Sequence, residues 1–376
     1  MLREPLSKIV FQETAAWIVL RLTPRDPVSV VEVFSCPRPK FSCSVVSAPA
    51  HLELRGEIVP QAQPDEATLS PADQNERGPF ITREARGRVP GDGVELAFGY
   101  WPGRGAPLVA LHGLTASYVN FVGIAECLRG RLPLLAFDLR GRGDSGKPPG
   151  PYGMAQHGRD VAVAMRAFGL RSSIVVGHSM GAFVATALAA QNPELVSGLV
   201  LIDGGYVPAM PPAPTPGATA ALAERIAQLT RTYPSREEYR KFWRSQPHFP
   251  AADWNPWIEA FLDYEVGGES PVQPKASQAA VVADMGEVLQ RDAVVERLKA
   301  IRVPALLLRA EKGFTPDQPP LFPDDLAEQI RSFVPHLDDR KFAGTTHYTI
   351  VLGQNPAAAI ADLICELAGR IGSSSA

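Results

Sequence analysis

Short apolar runs bounded by glycine and proline alternate with amphipathic stretches from about residue 81 onward. That alternation is the main structural signal in the chain. Residues 81–89 and 94–101 flank Gly91, Asp92 and Gly93, and predict a β-hairpin. Pro107 to Leu111 and Leu132 to Phe137 read as buried strands with a helix from Tyr118 to Leu128 between them. The unit repeats as a helix over 156–168, a strand over 173–176, a helix over 181–190 and a strand over 196–202. Strands that alternate with helices predict an α/β fold, a parallel sheet covered on both faces.

The alternation stops between Gly204 and Arg302. Proline breaks at 208–216 are followed there by helical stretches near 218–230 and 236–244. A run dense in aromatics comes next, including Phe242, Trp243, Phe249, Trp254, Trp257, Phe261 and Tyr264. The sheet pattern resumes at Val303 to Leu308, with a helix over 324–333, a strand near 339–342 and a closing helix over 356–371. An insertion that leaves the strand order intact reads as a lid. The resulting division is 1–76 as an N-terminal extension and linker, disordered or a small accessory segment, 77–204 as the first part of the core, 205–301 as a helical cap, and 302–376 as the second part of the core. The first segment shows no clean helical or strand period, and its Pro60 to Gln74 run has linker composition.

Composition narrows the function class without choosing it. A 45% hydrophobic share with 20% charged residues is that of a soluble globular protein, and a net charge of −3 gives no electrostatic reason to expect nucleic acid. No apolar run approaches the roughly 18 residues of a membrane span. The Ile9 to Leu20 stretch is interrupted by Gln12 and Glu13, which argues against a signal peptide. Cys36, Cys43, Cys127 and Cys365 have neither metal-ligand spacing nor a disulfide pattern. A cytoplasmic protein with no cofactor and a small-molecule substrate is the expectation.

Chemistry enters at Gly177-His178-Ser179-Met180-Gly181, set between an apolar strand and a run of small residues. Gly-x-Ser-x-Gly at a strand-to-helix turn is the nucleophile elbow, where close backbone approach excludes side chains on either flank of the serine. Four more motifs accompany it: HGLTAS at 112–117, DLRGRGDSG at 138–146, LVLIDGG at 199–205 and GTTHY at 344–348. With these motifs in this order, residues 80–376 resemble a lidded, cofactor-free serine hydrolase of the α/β-hydrolase fold. That resemblance implies a mostly parallel central sheet with helices on both faces and a lid inserted after the strand ending at Asp203.

The resemblance implies Ser179 as nucleophile and His347 as its base. The acid is less direct. Many relatives carry an Asp after the strand that follows the lid, but Gly313 stands at that position, in RAEKGF. Asp317 and Glu311 lie nearby, whereas Asp203 lies 24 residues after the nucleophile, where other branches place the acid. Asp203 is therefore preferred, with Asp317 as the alternative. The backbone N–H groups of Leu114 and Met180 are assigned to the oxyanion hole. His112 and His178 read as structural, as do His51, His157, His248 and His336.

Gly141, Gly143 and Gly146 match Gly-x-Gly-x-x-Gly, but they follow an internal strand and lack the acidic partner of a dinucleotide site. A tight turn tied by Arg142 and Asp144 explains them. Hydrolysis of a carboxylic ester or lactone is the expected reaction. Amide or carbon–carbon hydrolysis, a cofactor-free haloperoxidase or perhydrolase, and a non-catalytic binding protein are the alternatives.

Overall fold

The computed structural model describes residues 7–13, 16–22, 84–207 and 226–374. The chain divides into two compact units, 1–87 and 88–376. Within the first, β1 (Ser7–Glu13) pairs antiparallel with β2 (Ala16–Leu22), Ser7 opposite Leu22 and Glu13 opposite Ala16. The expectation that this region lacks a strand period is corrected there. The runs KIVF and WIVL are rich in β-branched residues, and each can serve as a strand once the other pairs with it. The expected linker at 60–74 lies outside the described residues, as do Cys36, Cys43 and His51.

The second unit is built on the latter half of β3 (Ala85–Pro90) and on strands β4 (Glu95–Trp101), β5 (Leu108–Leu111), β6 (Leu134–Phe137), β7 (Ser173–His178) and β8 (Val196–Ile202). Two-residue strands β9 (Val266–Gly267) and β10 (Gln273–Pro274) form a separate ribbon, and β11 (Ala305–Ala310) and β12 (Leu337–Phe342) complete the main sheet. Its order is β12-β11-β8-β7-β5-β6-β4-β3. Every neighbouring pair from β12 to β6 is parallel, and β4 joins β6 antiparallel. Strands β5, β6 and β11 are buried at every position, as expected for parallel strands covered on both faces.

The strand order fixes where a ligand can bind. From β5 the chain steps to β6 on one side, and then returns to β7 on the other side of β5. In open α/β sheets the crevice beyond the strand ends at such a reversal is the binding site. The turns after β5 and β7 meet there, and they carry His112-Gly113-Leu114 and Ser179.

Helices α1 (Val122–Leu128), α2 (Met154–Ala167) and α3 (Met180–Gln191) belong to this core. The expected helix at 118–128 begins as a 3₁₀ turn over Tyr118–Phe121. Residues 180–189 of α3 are all buried, which explains their small, uniformly apolar character.

Between β8 and β11 the insert carries α4 (Arg236–Arg244), α5 (Pro256–Glu265), α6 (Gln278–Val288) and α7 (Arg291–Lys299). Of the helix expected near 218–230, only the last residues are described, and they are helical from 226 to 228. The last three helices of the insert are not expected from the sequence pattern. Asn255 and Pro256 look like a chain break, yet the Asn255 side chain accepts from the N–H groups of Trp257 and Ile258 at 2.8 and 3.3 Å, and Pro256 occupies the first helical turn. Trp257, Ile258, Phe261 and Leu262 enter the same core cluster as Val176, Val200 and Ile202 of the sheet. The insert is thus packed onto the sheet domain. Helices α8 (Asp324–Phe333), α9 (Thr349–Leu352) and α10 (Gln354–Ser374) close the chain. Among the described residues no helix is long and apolar enough to cross a membrane.

Candidate active site

Ser179 lies between β7 and α3 with φ 55° and ψ −121°, a conformation that L-residues rarely adopt. The crossing chain enforces it. A Cβ on Gly181 would stand 1.8 Å from the Leu111 carbonyl oxygen, and one on Gly177 would stand 2.3 Å from that of Gly181. The Ser179 N–H donates to the Ile202 carbonyl at 2.9 Å, which ties the turn to the end of β8. Such strain persists only where the surrounding structure over-determines it.

Asp203, one residue beyond β8, also has positive φ, at 45°. Its N–H donates to the Leu308 carbonyl at 2.8 Å, and its Oδ1 accepts from the Ala310 N–H at 3.1 Å. These bonds aim the other oxygen across the sheet edge, where the His347 Nδ1–H donates to Oδ2 at 2.7 Å. Both groups are buried. A carboxylate on Nδ1 leaves Nε2 as the basic nitrogen of the ring. Asp317 is exposed, and Glu311 accepts from the Gly344 N–H at 2.7 Å; neither is bonded to His347. Of the two candidate acids, the structure brings Asp203 to the histidine and leaves Asp317 outside. Gly313, where many relatives have Asp, instead gives its carbonyl to the His347 N–H at 2.9 Å.

Two further histidines hold the surroundings. His112 donates from Nδ1 to the Gly113 carbonyl at 2.7 Å, while its Nε2 accepts from the Leu139 N–H at 2.9 Å. Complete burial holds its pKa at about 3, so the ring is neutral and its tautomer fixed. His178 donates from Nε2 to the His347 carbonyl at 2.9 Å and accepts at Nδ1 from the Asn120 amide at 3.1 Å. Burial holds it well below the usual histidine range, with the neighbouring His347 adding to the effect. Asn120 escaped the sequence reading, because nothing in TASYVNF marks it as a partner for a histidine 58 residues away.

The HGL turn lies against the nucleophile: a Cβ on Gly113 would be 3.2 Å from the Ser179 Cβ. The Leu114 carbonyl accepts from Arg142 Nε at 2.9 Å. Arg142 is fully buried and pairs with Asp284 of α6, which also accepts from His157 Nε2 at 2.9 Å and from the Gly153 N–H at 2.6 Å. A second tie runs from the Tyr264 hydroxyl to Asp138 Oδ2 at 2.7 Å. Asp138 also accepts from the Tyr118 and Asp144 N–H groups, each at 2.8 Å; burial raises its carboxyl to about 6. In the GRGDSG turn a Cβ on Gly143 would stand 1.9 Å from Asp138, so these glycines serve a tight turn packed on a carboxylate. The sequence predicts Arg142 as a tie within its own loop; its Asp284 partner lies 142 residues away and has no local signature.

A part-exposed serine elbow, a buried Asp–His pair and a glycine turn thus converge where the strand order reverses. The sequence profile of the alpha/beta hydrolase fold matches residues 106–354, and the chain belongs to that family. It is similar to an N-formylmaleamate deformylase of Pseudomonas putida, 27% identical over 65% of this chain and 83% of that one. It is also similar to a putative carbamate hydrolase of Caulobacter segnis, 34% identical over 30% of this chain, a match that spans only 43% of that relative. Among solved structures, an E-2-(acetamidomethylene)succinate hydrolase superposes with a TM-score of 0.62 at 22% identity, covering 75% of this chain and 99% of that one. The chain therefore has the α/β-hydrolase fold.

Proposed function

We propose that the chain is a serine hydrolase that cleaves a carboxylic ester or lactone of a small substrate through an acyl-enzyme on Ser179. One observation carries the reading: the Asp203–His347 pair beside a serine held at positive φ on a strand-to-helix turn. The His347 Nε2 takes the Ser179 proton as Oγ attacks the carbonyl carbon, and Asp203 stabilises the imidazolium. The N–H groups of Met180, at the first turn of α3, and of Leu114 receive the oxyanion. His347 then protonates the leaving group, and a water deprotonated by the same nitrogen releases the acid. The insert acts as the lid over this site.

A second reading is cleavage of an acyl–nitrogen bond with the same residues, favoured by the relatives named as a deformylase and a carbamate hydrolase. Matched ester and amide substrates decide between the two by their kcat/KM ratio. A fluorophosphonate adduct on Ser179 tests the nucleophile itself. An unlabelled serine in a folded protein would leave a binding protein, and peroxide-dependent halogenation would point to a haloperoxidase.

A further inference from the structure

Next to the candidate site lies a cavity of about 50 Å³, walled by Thr115, Tyr233, Tyr239, Trp243, Glu265 and Tyr348. Thr115 follows Leu114 and Tyr348 follows His347, so a group held there sits beside the proposed reacting centre. The rings of Tyr233 and Tyr239 meet edge to face at 4.9 Å, and Tyr239 meets Trp243 at 6.2 Å. The Glu265 carboxyl closes the cage from the end of α5. Its Oε2 accepts from the Tyr239 hydroxyl at 3.2 Å, and the residue is part-exposed, open to the cavity. Among the described residues no cation forms an ion pair with it: Lys275 is bound to Asp144 at 2.8 Å and lies over the Tyr264 ring at 3.8 Å, while Arg231 stacks on Tyr233 from 5.1 Å.

A carboxylate among aromatic rings, with one tyrosine hydroxyl as its donor, is costly to keep charged. Rings attract a cation through their negative faces, and a carboxylate completes the charge. By the measure that gives a water roughly 10–15 Å³, the cavity holds about three or four waters, or one short alkylammonium. Resting on the hydrolase reading of the neighbouring site, we propose that Glu265 and the rings of Tyr233, Tyr239 and Trp243 select substrates carrying a compact ammonium group near the scissile bond.

Burial pushes the Glu265 carboxyl up to about 8, against the lowering by the Tyr239 hydrogen bond and Lys275. The cage is therefore mostly uncharged at pH 7 and becomes anionic through pH 8. The hydroxyls of Tyr233 and Tyr239 are shifted upward by burial and do not ionise in that range. An alkylammonium, close to lysine's value of about 10.4, stays charged throughout.

The test is ligand-detected NMR on the full chain with propylammonium, 1-propanol and propionate, which requires no turnover. Propylammonium should bind at least tenfold more tightly than either isostere at pH 9, and its affinity should rise close to tenfold from pH 7 to pH 9 while that of 1-propanol stays flat. Glu265→Gln should abolish the ammonium preference and leave 1-propanol unchanged, with folding checked by thermal melting. Should that variant fail to fold, Trp243→Leu and the wild-type pH series carry the test; Trp243→Leu should weaken propylammonium several-fold. Equal affinities in the wild type, a preference that survives Glu265→Gln, or a flat pH series would overturn the proposal. Failure of the hydrolase reading would show separately, as a missing fluorophosphonate adduct on Ser179.

Discussion

At Ser179 the backbone, more than the side chain, makes the residue distinctive: φ of 55° is imposed by Gly177 and Gly181, whose hydrogens face neighbouring carbonyls. Gly181→Ala should therefore cost at least about 3 kcal/mol, at the upper end of overpacking, because backbone meets backbone and neither can rotate away. A urea midpoint within error of wild type would contradict this. Ser179→Ala should leave the melting temperature close to wild type while kcat falls by roughly six orders of magnitude. Asp203→Asn should lower kcat by about 10³–10⁴-fold, since an amide no longer stabilises the imidazolium or fixes the tautomer. Asp317→Asn, on an exposed loop, should change kcat less than twofold; the reverse pattern in steady-state kinetics would move the acid role to Asp317.

At the scale of elements, the site is assembled from loops at the ends of β5, β7, β8 and β12, and helix α6 of the insert reaches it through Asp284. Breaking a buried ion pair by removing one partner typically costs about 3–5 kcal/mol. Asp284→Ala should lose that much in denaturant unfolding and should also lower kcat, because Arg142 then no longer holds the Leu114 carbonyl. The double change Arg142→Met with Asp284→Leu should recover only part of the stability, because His157 and the Gly153 N–H still lose their acceptor, and should not recover kcat. Recovery of both would show that the Arg142–Asp284 pair serves packing alone. The helices of the insert also show why element reading failed where it did. Asn255-Pro256 and Ser277-Gln278 are caps, but in a segment already broken by proline they look like interruptions, and only burial of Trp257 and Phe261 distinguishes the two.

At the scale of the whole molecule, every residue assigned to the site belongs to the unit spanning 88–376. Removal of residues 1–76 should therefore leave the melting temperature of that unit and its kcat/KM within about twofold of the full chain; loss of either in the truncated protein would assign the first unit a role in folding or activity. The family and its sheet were legible in the sequence because parallel strands buried on both faces must be continuous apolar runs, and because a serine at a strand-to-helix turn needs glycine on both sides. Those are local demands, written in neighbouring residues. The strands of the first unit were missed because a strand without its partner has little local signature. The sequence preferred Asp203 to Asp317 by counting forward from Ser179, but only the bonds to the Leu308 carbonyl and from the Ala310 N–H show how its carboxylate comes to face His347. Asn120 beside His178, Asp284 beneath Arg142 and Glu265 in its aromatic cage had no signature either. Their meaning comes from partners dozens to more than a hundred residues away, and hydrogen bonds and burial between distant segments exist only once the sheet has set the order of its strands.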